Sequence, residues 1–346
     1  MNYLEDFAEL LDMLTYARPA GSQIEEDWVA RFIDPLNPFV DAYGNRYIWV
    51  MHPDHTIPTT MFTAHTDSVH RVGSKSANIV LDAENGYVSC GQDNSCLGAD
   101  DAAGVYIMKH MIQHKIPGLY CFFRAEEVGG LGSTYFHKNL RAVWGDIRAC
   151  ISFDRNSLSN DVVSSQGGGR CCSDKFAYAL SDELSMYTNL HYKPSDKGIF
   201  TDSANFMDDI PECTNISCGY VMEHTRNETL DLNILKRVMD AVIEIDWEAL
   251  PNERDPEEDS YDLPWFDYTG TDKDPSTLES VKWVVTDPDF VLTHIDEFCR
   301  DEKIPTVMDE ISALIWEHLV TNGSSGHKLE RWYDRKLEGS SQGFTS

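Results

Sequence analysis

Thr59-Thr60-Met61-Phe62-Thr63-Ala64-His65-Thr66-Asp67 is an apolar, β-favouring run that ends on an imidazole and a carboxylate. Read as a strand, it brings His65 out at its carboxyl end, the edge where ligands bind in open α/β sheets. Related segments recur along the chain. Gly98-Ala99-Asp100-Asp101 opens a helix, Ala125-Glu126-Glu127 and Phe153-Asp154-Arg155 follow short buried-strand runs, and Glu223-His224-Thr225 precedes a last core helix. Two imidazoles and three carboxylates are what two divalent cations sharing one bridging carboxylate require. The spare glutamate of the Glu126-Glu127 pair is then placed to act as a base. Any one such segment is common by chance. Adjacent glutamates at a strand end, however, repel each other unless a cation or a proton lies between them.

Outward from these segments the spacing of apolar residues sets the frame. Leu4, Phe7, Leu11 and Leu14 predict a helix, and Ser22-Gln23-Ile24-Glu25 is a capping box that starts another, with Ile24, Trp28, Val29 and Phe32 on one face. Residues 47–51 and 59–64 read as strands, residues 78–81 and 87–90 as a hairpin about Glu84-Asn85-Gly86, and residues 120–123 and 150–153 as buried strands. Val105, Met108, Met111 and Ile112 line the helix after Asp100, and Leu235, Val238, Met239 and Val242 the helix after His224. Strands alternating with helices predict the α/β class: a mixed, mostly parallel sheet covered on both faces in a three-layer α/β/α sandwich.

The order of the five segments resembles the co-catalytic zinc exopeptidases, which include bacterial aminopeptidases and tripeptidase-like and glutamate carboxypeptidase-like enzymes. Asp41-Ala42-Tyr43-Gly44-Asn45 is similar to the family's D-x-x-G-N ahead of its first strand. The resemblance implies His65 and Asp154 on one metal, Glu127 and His224 on the other, and Asp100 bridging both. Glu126 is the implied general base, and Asp67 the carboxylate that accepts the far N–H of His65 and fixes its tautomer. A cis peptide between Asp100 and Asp101 is implied as well. The ions are expected to be two Zn²⁺, although the mixed N/O donor set also accepts Co²⁺ or Mn²⁺. Asp154 and His224 stand only 70 positions apart, where the carboxypeptidase-like and tripeptidase-like branches of the family insert a separate lid domain, so the resemblance implies that none is present here. The lid-less, single-domain aminopeptidases are the implied nearest kin.

Between these ligands lie candidate substrate contacts. Arg170, after the flexible Gly167-Gly168-Gly169, could grip a carboxylate with its planar fork, although a surface role is the simpler reading. Asp202 and Ser203 belong to Thr201-Asp202-Ser203-Ala204-Asn205-Phe206, similar to a family loop beside the site. Glu228 either supports the last ligand or begins a helix. His110 and His114 have zinc-compatible spacing but lack the glutamate of H-E-x-x-H, and read as helix surface.

Composition bounds the partners. With 58 acidic against 28 basic residues the formal charge is −30, which argues against nucleic acid or an anionic membrane surface. No apolar run approaches the ~20 residues of a membrane span, and the first residues lack the basic start of a signal peptide. Nine cysteines without C-x-x-C pairs suit a reducing compartment, so a cytoplasmic location is expected, with Cys171-Cys172 as ordinary buried thiols. The chain divides into a catalytic domain at 1–250, an acidic Pro-rich linker at 251–276, a helical appendage at 277–321 and a poorly ordered tail at 322–346.

The expected function is hydrolysis of an amide bond in a peptide or aminoacyl substrate, foremost as an aminopeptidase. A deacylase or carboxypeptidase-like activity on N-acyl amino acids or dipeptides uses the same metals, and a one-zinc aminoacyl transfer needs fewer ligands than are present. A metal-stabilised binding or structural protein is the alternative outside enzymes, and it has no use for Glu126.

Overall fold

The computed structural model of the protein describes residues 2–92 and 94–259. In chain order its strands are β1 (Phe39–Val40), β2 (Arg46–Val50), β3 (Thr60–His65), β4 (Ile79–Asp82), β5 (Tyr87–Cys90), β6 (Gly118–Phe123), β7 (Ala149–Arg155), β8 (Asp161–Val163), β9 (Ser165–Gln166), β10 (Gly169–Arg170), β11 (Lys193–Ser195), β12 (Glu212–Ser217), β13 (Tyr220–Val221) and β14 (Thr229–Asp231). The helices are α1 (Tyr3–Asp6), α2 (Ala8–Leu14), α3 (Gln23–Phe32), α4 (Ala99–Gln113), α5 (Leu131–Asn139), α6 (Arg141–Trp144), α7 (Asp174–Thr188), α8 (Leu232–Val242) and the short α9 (Pro256–Asp259), with short 3-10 turns between.

Eight strands form one sheet in the order β1-β2-β6-β3-β7-β12-β8-β11. Its centre, β6-β3-β7-β12, is parallel, and β1 and β2 close one side antiparallel. Alternation along the central strands builds two cores. Phe62, Ala64, Tyr120, Phe122, Ile151 and Phe153 face α2, α3, α4, α7 and α8, whereas Met61, Leu119, Cys121, Phe123 and Cys150 face α5 and α6. The three-layer α/β sandwich expected from the sequence is therefore the observed fold. Close helix-on-sheet packing depends on Gly104 of α4, where a Cβ would stand 2.1 Å from the Phe153 carbonyl oxygen.

Several local expectations change. The first helix splits at Phe7, whose φ of −120° separates α1 from α2, so Phe7, Leu10, Met13 and Leu14 are buried while Leu4 is 61% exposed. The β4–β5 hairpin pairs with β14 in a separate small sheet. Unforeseen elements are α7, capped by Ser173, and β12, which is buried throughout despite Glu212, Thr214, Asn215 and Ser217. At the carboxyl end, Glu253 and Arg254 donate backbone N–H groups to Glu212 Oε1 at 2.7 and 3.1 Å, so the packed chain runs beyond residue 250. The linker from residue 260 on, the 277–321 appendage and the 322–346 tail lie outside the described residues. No helix among the described residues is long and apolar enough to cross a membrane.

The capping box at Ser22 forms, with Glu25 N donating to Ser22 Oγ at 3.2 Å, but Glu25 does more than cap. Its buried carboxylate accepts from Gly21 N (2.7 Å), from Thr66 Oγ1 (2.6 Å) and from both Nε and Nη2 of Arg124 (3.2 Å each). It ties α3 to the ends of β3 and β6. Glu25→Ala leaves Arg124 with Glu26 as its remaining partner but deprives a buried hydroxyl and two guanidinium N–H groups of their acceptor, and is expected to cost about 2–3 kcal/mol in chemical denaturation. A loss below about 1 kcal/mol, the level of an exposed pair, contradicts this account.

Candidate metal centre

The four parallel strands end at one edge, and each delivers side chains there. His65 is the last residue of β3, Asp154 the next to last of β7, Glu126 and Glu127 follow β6, and His224 follows β12 and β13. Asp100 enters from the start of α4, where Asp100 and Asp101 depart from helical geometry and their peptide is cis, as the resemblance implied. Ala125 and His224 hold left-handed φ of +60° each, an unusual conformation that clusters at sites where the backbone must aim a side chain.

The geometry is centred on Asp100. Its Oδ1 stands 3.0 Å from His65 Nε2 and its Oδ2 3.0 Å from His224 Nε2. His224 Nε2 is also 3.0 Å from Glu127 Oε2, and His65 Nε2 is 3.6 Å from Asp154 Oδ1. One ligand-type atom from each of His65, Asp100 and Glu127 lies within 4.8 Å of the others, and the same holds for His65, Glu126 and Asp154. All five residues read as ligands, and Glu126 with them, are thus brought together.

Neighbours fix these side chains. His65 Nδ1 lies 3.2 Å from the Asp67 carbonyl oxygen and 3.4 Å from its Oδ1. The Asp67 carboxylate is also occupied elsewhere, accepting the backbone N–H of Glu126 and of Glu127 at 3.1 and 3.2 Å. Asp154 Oδ2 accepts from Thr201 Oγ1 at 2.6 Å, and its Oδ1 from Tyr220 OH at 3.1 Å. Asn215 clamps the Asp154 backbone on both sides, with Oδ1 accepting from its N–H at 2.8 Å and Nδ2 donating to its carbonyl at 2.6 Å. Glu228 neither starts a helix nor touches His224. It accepts N–H groups from Leu97 (2.7 Å), Gly98 (3.0 Å) and Asp100 (3.1 Å), and so supports the segment that carries Asp100. The Asp41 turn reaches the same edge through Asn45, whose Oδ1 accepts from Arg124 N at 3.1 Å.

The candidate substrate residues fare differently. Asp202 is buried, accepts from Ser133 Oγ at 2.5 Å through Oδ1, and leaves Oδ2 without a hydrogen bond. Ser203 is also buried; its hydroxyl meets Gln166 Nε2 and the Thr214 carbonyl, each at 3.1 Å. Arg170 sits in β10 on the surface and forms an ion pair with Asp174. The rings of His110 and His114 lie 4.2 Å apart and tilted at the end of α4, with His114 Nδ1 2.9 Å from the His110 carbonyl oxygen. Cys171 and Cys172 are buried free thiols.

Electrostatics test whether cations fit. Burial, reinforced by the Asp100 charge, pushes Glu127 up to about 7 and Glu228 likewise to about 7. Glu126 is raised well above the usual carboxylate range by burial. His224 rises to about 11 through its hydrogen bonds to Asp100 and Glu127. For His65, burial alone would lower the value, but Asp154, Asp100 and Asp67 overcome it and raise it. Glu127 Oε1 is buried with no hydrogen-bond partner. Acids that must borrow protons, imidazoles held as cations among them and an orphaned carboxylate oxygen form a donor set suited to divalent metal.

Comparisons with known proteins agree with this architecture. No family model matches the chain, and no curated protein matches it. Solved structures do. The TET1 peptidase of Pyrococcus horikoshii is 15% identical and aligns over 68% of this chain and 98% of its own, with a TM-score of 0.52. Aminopeptidase PepT of Bacillus cereus is 14% identical over 70% and 96%, with a TM-score of 0.52. A tripeptidase of Staphylococcus aureus is 15% identical over 70% and 96%, with a TM-score of 0.54. The chain shares its fold with these peptidases.

Without cations the raised groups set a pH dependence. Between the ordinary carboxyl value near 4.5 and about 7, the native state retains protons on Glu127 and Glu228 that the unfolded chain has released, so its stability falls as pH rises. His224 acts in the same direction from about 6.5 upward. The melting temperature of metal-free protein is expected to decline from pH 5 to pH 7.5 and to recover on adding a divalent cation. A metal-free profile that rises over this range counts against the reading.

Proposed function

We propose that the protein is a metal-dependent aminopeptidase that removes the amino-terminal residue of a peptide, with two zinc ions as its resident metals. His65 and Asp154 would hold one ion, Glu127 and His224 the other, and Asp100 would lie between them. The observation that carries this reading is Asp100, whose two oxygens each stand 3.0 Å from a different imidazole. Co²⁺ and Mn²⁺ suit the same donors. When bound, such ions supply Lewis acidity toward a water molecule and an amide carbonyl.

The protein's own groups carry the proton and the orientation. Glu126, beside His65 and Asp154 and raised by burial, is poised to accept a proton from the attacking water and return it to the leaving amine nitrogen. Asp67 faces the imidazole of His65 and holds the backbone from which Glu126 and Glu127 project. Thr201, Tyr220 and Asn215 leave Asp154 little freedom.

An excess of carboxylates favours the ammonium of a free amino terminus over an acyl group or a carboxylate. Asp67, Asp100, Asp101, Glu126, Glu127, Asp154 and Asp202 gather at the edge, while the fork proposed for a substrate carboxylate, Arg170, is held by Asp174 on the surface. This supports the aminopeptidase reading over a deacylase or carboxypeptidase-like activity. The names carried by structures of the same fold, aminopeptidase and tripeptidase, point the same way.

Glu126→Gln preserves shape and removes basicity. It is expected to retain both metals and lower turnover of aminoacyl substrates by about 10²- to 10⁴-fold. Glu127→Gln is expected to weaken metal uptake instead, measured by elemental analysis after dialysis. Near-normal turnover in Glu126→Gln would falsify its role as base. A second measurement compares aminoacyl with N-acyl-aminoacyl substrates on the wild type, and preference for the N-acyl series would establish the deacylase reading.

A further inference from the structure

Arg18, between α2 and α3, is completely buried although arginine rarely is unless paired with an acid. Its side chain is directed at backbone. Nε donates to the Thr66 carbonyl at 2.8 Å and Nη2 to the Gly98 carbonyl at 3.0 Å. Thr66 follows His65, and Gly98 stands two residues before Asp100. One rigid fork therefore spans the two segments that carry the imidazole and the bridging carboxylate. The guanidinium lies over the Trp28 ring at 4.7 Å, and the Arg18 backbone is fastened to Ser68 by two hydrogen bonds, at 3.3 and 3.0 Å. Position 98 can only be glycine for this approach. Its φ is +75°, and a Cβ there would stand 2.9 Å from Arg18 Nη1.

The acids nearby are committed to the opposite side of the same backbones. Asp101 Oδ2 accepts from His65 N at 3.0 Å, while Glu228 takes the N–H groups of Leu97, Gly98 and Asp100, and Asp67 those of Glu126 and Glu127. Carboxylates thus hold the N–H side of the His65, Asp100 and Glu126–Glu127 segments. Arg18 holds the carbonyl side of two of them.

Resting on the two-metal reading above, we infer that Arg18 is a positioning residue of the metal centre, setting the His65 and Asp100 segments in register so that both ions find their shared ligands preformed. Loss of an outer contact of this kind typically weakens metal binding by about 10- to 100-fold. Because Asp100 serves both ions, the loss falls on both.

The test uses full-length wild type, Arg18→Met, Arg18→Lys and Tyr220→Phe, freed of metal by a chelator and titrated with Zn²⁺ against a competing chromophoric chelator. Circular dichroism and melting temperature check the fold of each. Wild type is expected to take two ions. Arg18→Met is expected to bind both about 10- to 100-fold more weakly, and Arg18→Lys also to weaken both, because one ammonium cannot reproduce the fork. Tyr220→Phe, which removes a hydroxyl whose hydrogen bond goes to Asp154 and to no other proposed ligand, is expected to weaken a single ion. If Arg18→Met fails to fold, Arg18→Lys decides. Wild-type affinity for both ions in either folded Arg18 variant overturns the inference, as does weakening confined to one ion. Wild type that takes up no metal removes the two-metal reading itself, a result distinct from normal binding in the variants.

Discussion

Mutual repulsion among carboxylates at the carboxyl edge of the sheet is the constraint to which the rest of the structure answers. Burial raises the cost of each negative charge, yet Asp67, Asp100, Asp101 and Glu228 all lie in the interior. The protein meets that cost with backbone N–H groups. Asp67, Asp101 and Glu228 each gather two or three of them, and in doing so shape the loops from which the imidazoles and the outer carboxylates project. Burial and the remaining repulsion raise Glu126, Glu127 and Asp154, while the imidazoles of His65 and His224 hold Asp100 below the usual carboxylate range. The same arrangement that is unfavourable without cations is chemically suited to hold them, as the proposed function requires.

Much of this was legible because the ligands sit where hydrophobic patterning stops. The runs ahead of His65, Glu126 and Asp154 are almost wholly apolar, and a buried parallel strand is one of the few settings for such short runs. The helix after Asp100 and the last helix declared themselves by spacing. By contrast β12 reads Glu-Cys-Thr-Asn-Ile-Ser, and nothing in its polarity suggests a strand buried along its whole length. Its polar residues are inside because they serve neighbours: Asn215 clamps Asp154, and Glu212 anchors the chain at Ser173, Glu253 and Arg254. Contacts between residues far apart in sequence leave no local signal.

Arg18 and Glu25 illustrate the same limit at the other end. Glu25 was visible as a helix cap, which is a local role, but its contacts with Thr66 and Arg124 depend on tertiary placement. Leu4 shows the converse error: helical spacing put it inward, and a break at Phe7 turned it out to solvent. Periodicity assumes a continuous helix, and a single residue outside the helical region voids it.

The carboxylate of Glu228 reaches back to Leu97, Gly98 and Asp100, across 131, 130 and 128 positions of the chain. During synthesis, then, the first half of the protein can form β3 and β6 and expose His65 and the paired glutamates long before the loop bearing the bridging aspartate has its support. Since contacts between distant residues require long loops to close first, the complete cluster of His65, Asp100, Glu127, Asp154 and His224 depends on a chain that extends past His224. Incomplete chains released early carry at most a partial set of its side chains.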